Sequence, residues 1–129
     1  MKLGKYEIAL QSLQRVLEIK KQIYKESNQQ VPQCLNNIGY CYLELYQYKM
    51  AIMYYEESFE LLKIQDNSDL KSNTLLFLKV CYHLLGDKQN SEKYAQYDFP
   101  QFQELVESYL LKLQKNSTQK EIQNKQFFA

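Results

Sequence analysis

The chain repeats itself. Set residues 3–10, LGKYEIAL, beneath residues 45–52, LYQYKMAI, and Leu3, Tyr6 and Ala9 fall on Leu45, Tyr48 and Ala51, 42 positions later. A weaker copy begins at Leu85-Gly86-Asp87, 40 residues on; at that offset Leu35, Ile38, Cys41 and Tyr42 meet Leu75, Leu78, Cys81 and Tyr82. A period of this length is one supersecondary unit, and a unit so small cannot bury its own apolar side. Copies must therefore stack on one another, each touching its neighbours. The 129 residues hold one small domain of this kind.

The units are helical. Over residues 5–26, Tyr6, Ala9, Leu10, Leu13, Val16, Leu17 and Ile23 recur at three- and four-residue steps. Residues 26–30 read as a loop, and Pro32 suits the first turn of a helix running to about Leu45 with Leu35, Ile38, Tyr42 and Leu45 on one side. A helix from Tyr48 carries Ala51, Ile52, Tyr55, Ser58, Phe59 and Leu62, and residues 65–68 form a turn cluster. Residues 69–85 are a strongly apolar helix ended by Gly86, and 88–98 a shorter polar one. Pro100 opens a last helix to about Lys115, through Phe102, Leu105, Val106, Tyr109, Leu110 and Leu113. Periodicity stops at Asn116, so 116–129 is expected to be a polar tail. No segment alternates with period two, and only 3 Gly and 2 Pro leave no room for many hairpins or for a glycine-rich phosphate loop.

The central unit resembles a tetratricopeptide repeat. Leu35, Ile38-Gly39, Tyr42, Ala51 and Tyr55 stand at that family's spacing, and Ser58 at its later small position. Gly39 and Ala51 are expected where the two helices cross closely, with Leu35, Ile38, Tyr42 and Tyr55 filling the surrounding space. The 42-residue period and the run Leu35-Asn36-Asn37-Ile38-Gly39 are similar to the kinesin light chain type of repeat, over residues 3–98. The resemblance implies an all-α fold: a short right-handed helical solenoid of antiparallel hairpins. Residues 1–115 would form the repeat domain, with a half repeat at 3–28, a repeat at 31–66, a degenerate repeat at 69–98 and a capping helix at 100–115.

The copies depart from the pattern in places. The third has Lys79 for the glycine, Ser91 for the alanine and Ala95 for the aromatic. Tyr46 occupies the turn position that Gly4 and Gly86 fill elsewhere; a left-handed backbone there would cost about 1–2 kcal/mol. The first copy holds only a second helix, whose partner would lie before Met1. Residues 1–26 are therefore expected to be covered by a second copy of the chain, a larger partner or upstream chain.

In this family the first helix of each repeat lines a concave groove. By resemblance the partner-binding residues are Gln33, Asn36, Tyr40, Leu43 and Glu44, then Asn73, Leu76, Val80, His83 and Leu84. The first set is polar and aromatic, suited to an extended peptide. The second is largely apolar; it either takes a peptide or helix or is covered by helix 101–115. Asn36 matches the asparagine of a carboxylate clamp, but Leu76 and Val80 stand where the clamp lysines belong, so no such clamp is expected.

Charge and chemistry narrow the function. Lys+Arg 16 against Asp+Glu 15 gives no basic surface for nucleic acid, and Arg15 is the only arginine. The 12 tyrosines have repeat-core positions to fill, and Lys20-Lys21 reads as a solvated face. Cys34, Cys41 and Cys81 have neither even number nor CxxC spacing, and the first two lie about 10 Å apart along a helix, too far to bridge. They read as buried thiols in a reducing compartment. His83 has no nucleophile or acid set around it by a known motif. No signal-peptide run opens the chain, and the longest apolar stretch, Leu75 to Leu85, is too short to span a membrane.

The sequence therefore points to a non-catalytic protein–protein interaction module, without metal or cofactor. It would be a scaffold or adaptor subunit binding through the groove and through the open side of residues 1–26. The rival reading is a small helical enzyme or enzyme regulator. A cytoplasmic site is expected. Abundant Lys, Gln, Asn, Ile and Tyr suggest an AT-rich coding genome and a ciliary or axonemal assembly, with a mitochondrial one left open.

Overall fold

The computed structural model describes the backbone of residues 2–24, 29–64, 68–94 and 99–128, and within these the side chains of 4–24, 29–64, 69–94 and 99–115. Among the described residues there are six helices: α1 (Lys2–Ile23), α2 (Gln30–Glu44), α3 (Tyr48–Leu62), α4 (Ser68–Leu85), α5 (Lys88–Glu92) and α6 (Phe102–Phe128). No strand occurs among the described residues. The expected loop at 26–30 and turn at 65–68 fall largely outside them; the helix expected over 88–98 ends earlier, at Glu92, with Lys93 and Tyr94 in a turn. The chain divides into two compact units, Met1–Tyr97 with α1 to α5 and Asp98–Ala129 with α6.

In the first unit each helix packs on the next, α1 on α2, α2 on α3, α3 on α4 and α4 on α5, and α2 also meets α4. The α2–α3 hairpin is antiparallel. Ser58 Oγ donates to the Pro32 carbonyl (3.1 Å), and at the other end the Tyr42 and Tyr54 rings stack with centroids 5.5 Å apart. That register sets Gly39 opposite Ala51, seven residues along each helix from the Pro32–Ser58 pair. The tightest fit at Gly39 is with a different residue. A β-carbon there would lie 2.9–3.0 Å from the ring of Tyr55, inside any normal contact distance. The glycine thus makes room for an aromatic ring rather than only for Ala51.

Tyr55 is 1% exposed and stacks on Phe77 of α4 (5.7 Å, interplanar 6°), so its ring is held from both sides. Leu35, Ile38, Ala51, Leu62, Leu78 and Cys81 are buried as well. A side chain of this kind stabilises by roughly 1.5–3 kcal/mol when fully withdrawn from water, which is why these positions recur at fixed spacing.

The third copy shows the same crossing with other residues. Ser91 Oγ lies 3.5 Å from the Lys79 carbonyl oxygen, a long contact between the positions equivalent to Ala51 and Gly39.

In the second unit the expected boundary at Lys115 does not hold: α6 continues to Phe128. The expectation of a tail rested on lost apolar periodicity. Helix formation needs only compatible residues, and 116–128 contains Gln, Lys and Glu with neither Gly nor Pro.

Candidate functional site

The candidate site is where α2 and α4 meet each other. Two contacts join these helices there. Asn36 Nδ2 donates to Thr74 Oγ1 (2.8 Å), and Thr74 Oγ1 in turn donates to the Leu70 carbonyl within its own helix (2.7 Å). Next along, Tyr40 meets Phe77 edge-on (6.3 Å, 84°), and on its other flank it meets Tyr6 of α1 (6.2 Å, 74°). Tyr6, Tyr40 and Phe77 thus make an aromatic row across α1, α2 and α4. Tyr40, in its centre, is 39% exposed.

The residues named from sequence separate into two groups. Gln33, Tyr40, Asn73 and His83 are exposed, and Asn36 and Leu84 partly so. Leu43, Glu44, Leu76 and Val80 are buried. Leu76 and Val80 are therefore closed to water, and the exposed strip is narrower and more polar than spacing implied. Helical spacing identifies the side of a helix, but α2 has α1, α3 and α4 against it and little of its circumference is left over.

Sequence reasoning misses two members of the row. Tyr6 reads only as part of the repeat pattern. Phe77 stands where the central copy has Asn37, so the offset gives it no counterpart. The signal available was aromatic content on matching helices.

Electrostatics at the row disfavour proton chemistry. Burial, with Glu44 and Tyr6 nearby, raises the Tyr40 hydroxyl above the usual tyrosine range, and burial does the same to Tyr55. The three thiols are buried and free. Burial pushes Cys81 up to about 12 and raises Cys34 and Cys41 as well, Lys20 partly offsetting the effect at Cys34. A thiol so shifted is protonated at neutral pH and is not a poised nucleophile. Among the described residues, no three of His, Cys, Asp and Glu converge in a metal-binding arrangement. No described helix is long and apolar enough to cross a membrane.

What the site offers is surface: rings with polar edges, amides for hydrogen bonding, and a rigid two-helix base. Aromatic groups of this kind give large contact area at low entropic cost.

A comparison with curated proteins finds no match. A sequence model of the tetratricopeptide repeat matches residues 1–64, the stretch that spans α1, α2 and α3, and is consistent with the kinesin-light-chain-like type of repeat. The antiparallel hairpin that seats Tyr55 over Gly39, with Ala51 and Ser58 at its small positions, is the structural counterpart of that match, and through residues 1–64 the chain belongs to the tetratricopeptide repeat family.

Proposed function

We propose that the chain is a scaffold or adaptor subunit of a larger assembly, holding a protein partner against α2 and α4. Tetratricopeptide repeats generally mediate protein–protein interactions and are in general non-catalytic. The observation that carries the reading is the Tyr6–Tyr40–Phe77 row, bordered by Gln33, Asn36 and Asn73. Its centre is exposed while its base is fixed, the combination expected of an aromatic anchor that a partner can cover. His83 and Leu84 extend the same side of α4. The exposed side of α1 is a second contact surface for the assembly. Composition alone supports placing that assembly in the cytoplasm or a cilium.

The test is a photo-crosslinking residue at position 40 of the full chain, expressed in its native cells. A discrete protein adduct is expected, and the same residue at position 88 on α5 should give none. Equal labelling at both positions, no adduct at 40, or turnover of a small molecule by the isolated chain would overturn the proposal.

A further inference from the structure

α1 and α3 are the same element of the repeat, and α3 shows which side of such a helix takes cover. Ser58 bonds to Pro32, Tyr54 stacks on Tyr42, and Leu61 packs against the cluster containing Leu35 and Ile38; that side of α3 belongs to α2. The residues of α1 that stand 42 positions earlier are Val16, Ser12 and Ile19. All three are exposed. Ile8 (68% exposed), Ile19 (55%) and Ile23 (66%) continue the same stripe.

The other side of α1 is occupied. Leu10 and Leu17 are buried, Ala9 and Leu13 pack with them against α2, and the Cys34 thiol lies 3.6 Å from the Leu13 carbonyl. This helix therefore has two apolar sides of which one is covered. An apolar stripe this long on an exposed helix is the mark of an interaction surface.

Charge indicates the kind of occupant. At 3.6 residues per turn, Lys5 and Arg15 fall on the exposed stripe, whereas Glu7 and Glu18 fall off it. The helix that covers α3 sets a precedent: α2 has no basic residue and its only charge is Glu44. A second copy of the chain suits the stripe poorly. Two-fold antiparallel pairing of α1 on α1 about the middle of the Ile8–Ile23 stripe sets Arg15 beside Arg15, and like charges facing across a contact oppose it.

We infer, on the basis of the interaction reading above, that the Ile8–Ile23 side of α1 seats an amphipathic helix of a partner protein with acidic flanks, lying along α1 as α2 lies along α3.

The probe is a helical peptide copying residues 30–45 with Gln33→Glu, Asn36→Glu and Asn37→Glu, titrated by fluorescence anisotropy into the full chain. Its counterpart carries lysine at the same three positions. The glutamate peptide should bind more tightly than the lysine one, and Arg15→Glu in the receptor should reverse that order. Ile19→Asp should weaken binding by about tenfold or more, the effect of losing one well-buried aliphatic contact. Because Ile19 is exposed, unchanged circular dichroism checks that the variant still folds, and Ile23→Asp repeats the test independently.

Absence of binding, equal binding to Ile19→Asp, or preference for the lysine peptide overturns the inference. So does sedimentation of the chain as a dimer that Ile19→Asp dissociates, which would assign the stripe to a second copy. An adduct at position 40 with no peptide bound at α1 would remove this inference and leave the assignment of α2 and α4 standing.

Discussion

After α2 the chain turns through Leu45-Tyr46-Gln47, and 40 residues later, after α4, it turns through Leu85-Gly86-Asp87. The hydrogen bonds are the same. Tyr46 N–H donates to Leu43 O (3.0 Å) and Gln47 N–H to Tyr42 O (2.9 Å); Gly86 N–H donates to His83 O (3.0 Å) and Asp87 N–H to Tyr82 O (2.9 Å). Both are Schellman endings with a left-handed residue, φ +62° at Tyr46 and +87° at Gly86. The chemistry differs in favour of the second turn. Gly86 takes the left-handed backbone without strain, and the Asp87 carboxylate caps α5 by accepting from Asn90 N–H (3.1 Å). Tyr46 is strained, and Gln47 makes no side-chain cap.

Yet the better turn leads into a helix of five residues and the worse one into a helix of fifteen. The difference lies in how much each helix buries. α3 buries Ala51, Ile52, Tyr55, Ser58 and Leu62, while α5 buries only Ser91. A cap is worth about 1 kcal/mol and a left-handed tyrosine costs about 1–2, whereas each large side chain withdrawn from water contributes roughly 1.5–3 kcal/mol. In this molecule packing outweighs local preference, and the well-built turn marks the copy that has least packing.

That ordering can be broken first at its strongest member. Tyr55→Ala removes the ring held between Gly39 and Phe77 and should destabilise the chain by about 3–5 kcal/mol in urea denaturation. A loss under about 1 kcal/mol would mean the hairpin does not depend on this contact.

Gly39→Ala sharpens the same point. The new β-carbon strikes the Tyr55 ring, and overpacking outweighs the gain in helix propensity, for a net loss of about 1–2 kcal/mol. In a Tyr55→Ala background the clash is gone and the same change should stabilise instead. A double-mutant cycle reads this reversal directly; additive effects would show that the glycine answers to something other than the ring.

This pair also shows how far the sequence could be read. The spacing of Gly39, Ala51 and Tyr55 located the hairpin, but not which residue the glycine serves. The third copy held the clue: it has Lys79 and Ala95, so a β-carbon is present where the aromatic is missing. Tyr46 was legible as a left-handed position because Gly86 stands at its equivalent; Gly4, the other equivalent, lies inside α1 and takes no left-handed turn. The burial of Leu43, Glu44, Leu76 and Val80 was not legible, because the number of helices packed around α2 and α4 is a tertiary quantity, invisible to periodicity. The helical backbone of 116–128 was misread because a chain without an apolar stripe can still be helical.

The turns themselves supply smaller effects of opposite sign. Tyr46→Gly should stabilise by about 0.5–1 kcal/mol, the relieved strain less the added freedom of the unfolded chain. Gly86→Ala should cost about 1 kcal/mol. A β-carbon at Gly86 meets nothing within 4 Å, so that cost is backbone strain alone. If both substitutions shift the thermal midpoint in the same direction, the two turns are not equivalent.

The finest distinction is the cap, and pH separates it from everything else. Gln47→Asp should give α3 the cap that Asp87 gives α5, raising stability by about 0.5–1 kcal/mol at neutral pH. The working carboxylate shows what to expect of the new one. Hydrogen bonds from the Asn90 side chain and then its backbone N–H hold Asp87 below the usual carboxylate range. A depressed folded pKa means the contribution is complete above the unfolded value, about 3.9, and is lost as pH falls through the folded one. The stability difference between Gln47→Asp and the parent should therefore be flat well above the unfolded carboxylate value and shrink as pH falls below it. A gain that persists in acid would come from helix propensity or packing, and the contrast between the turns would then not be one of capping.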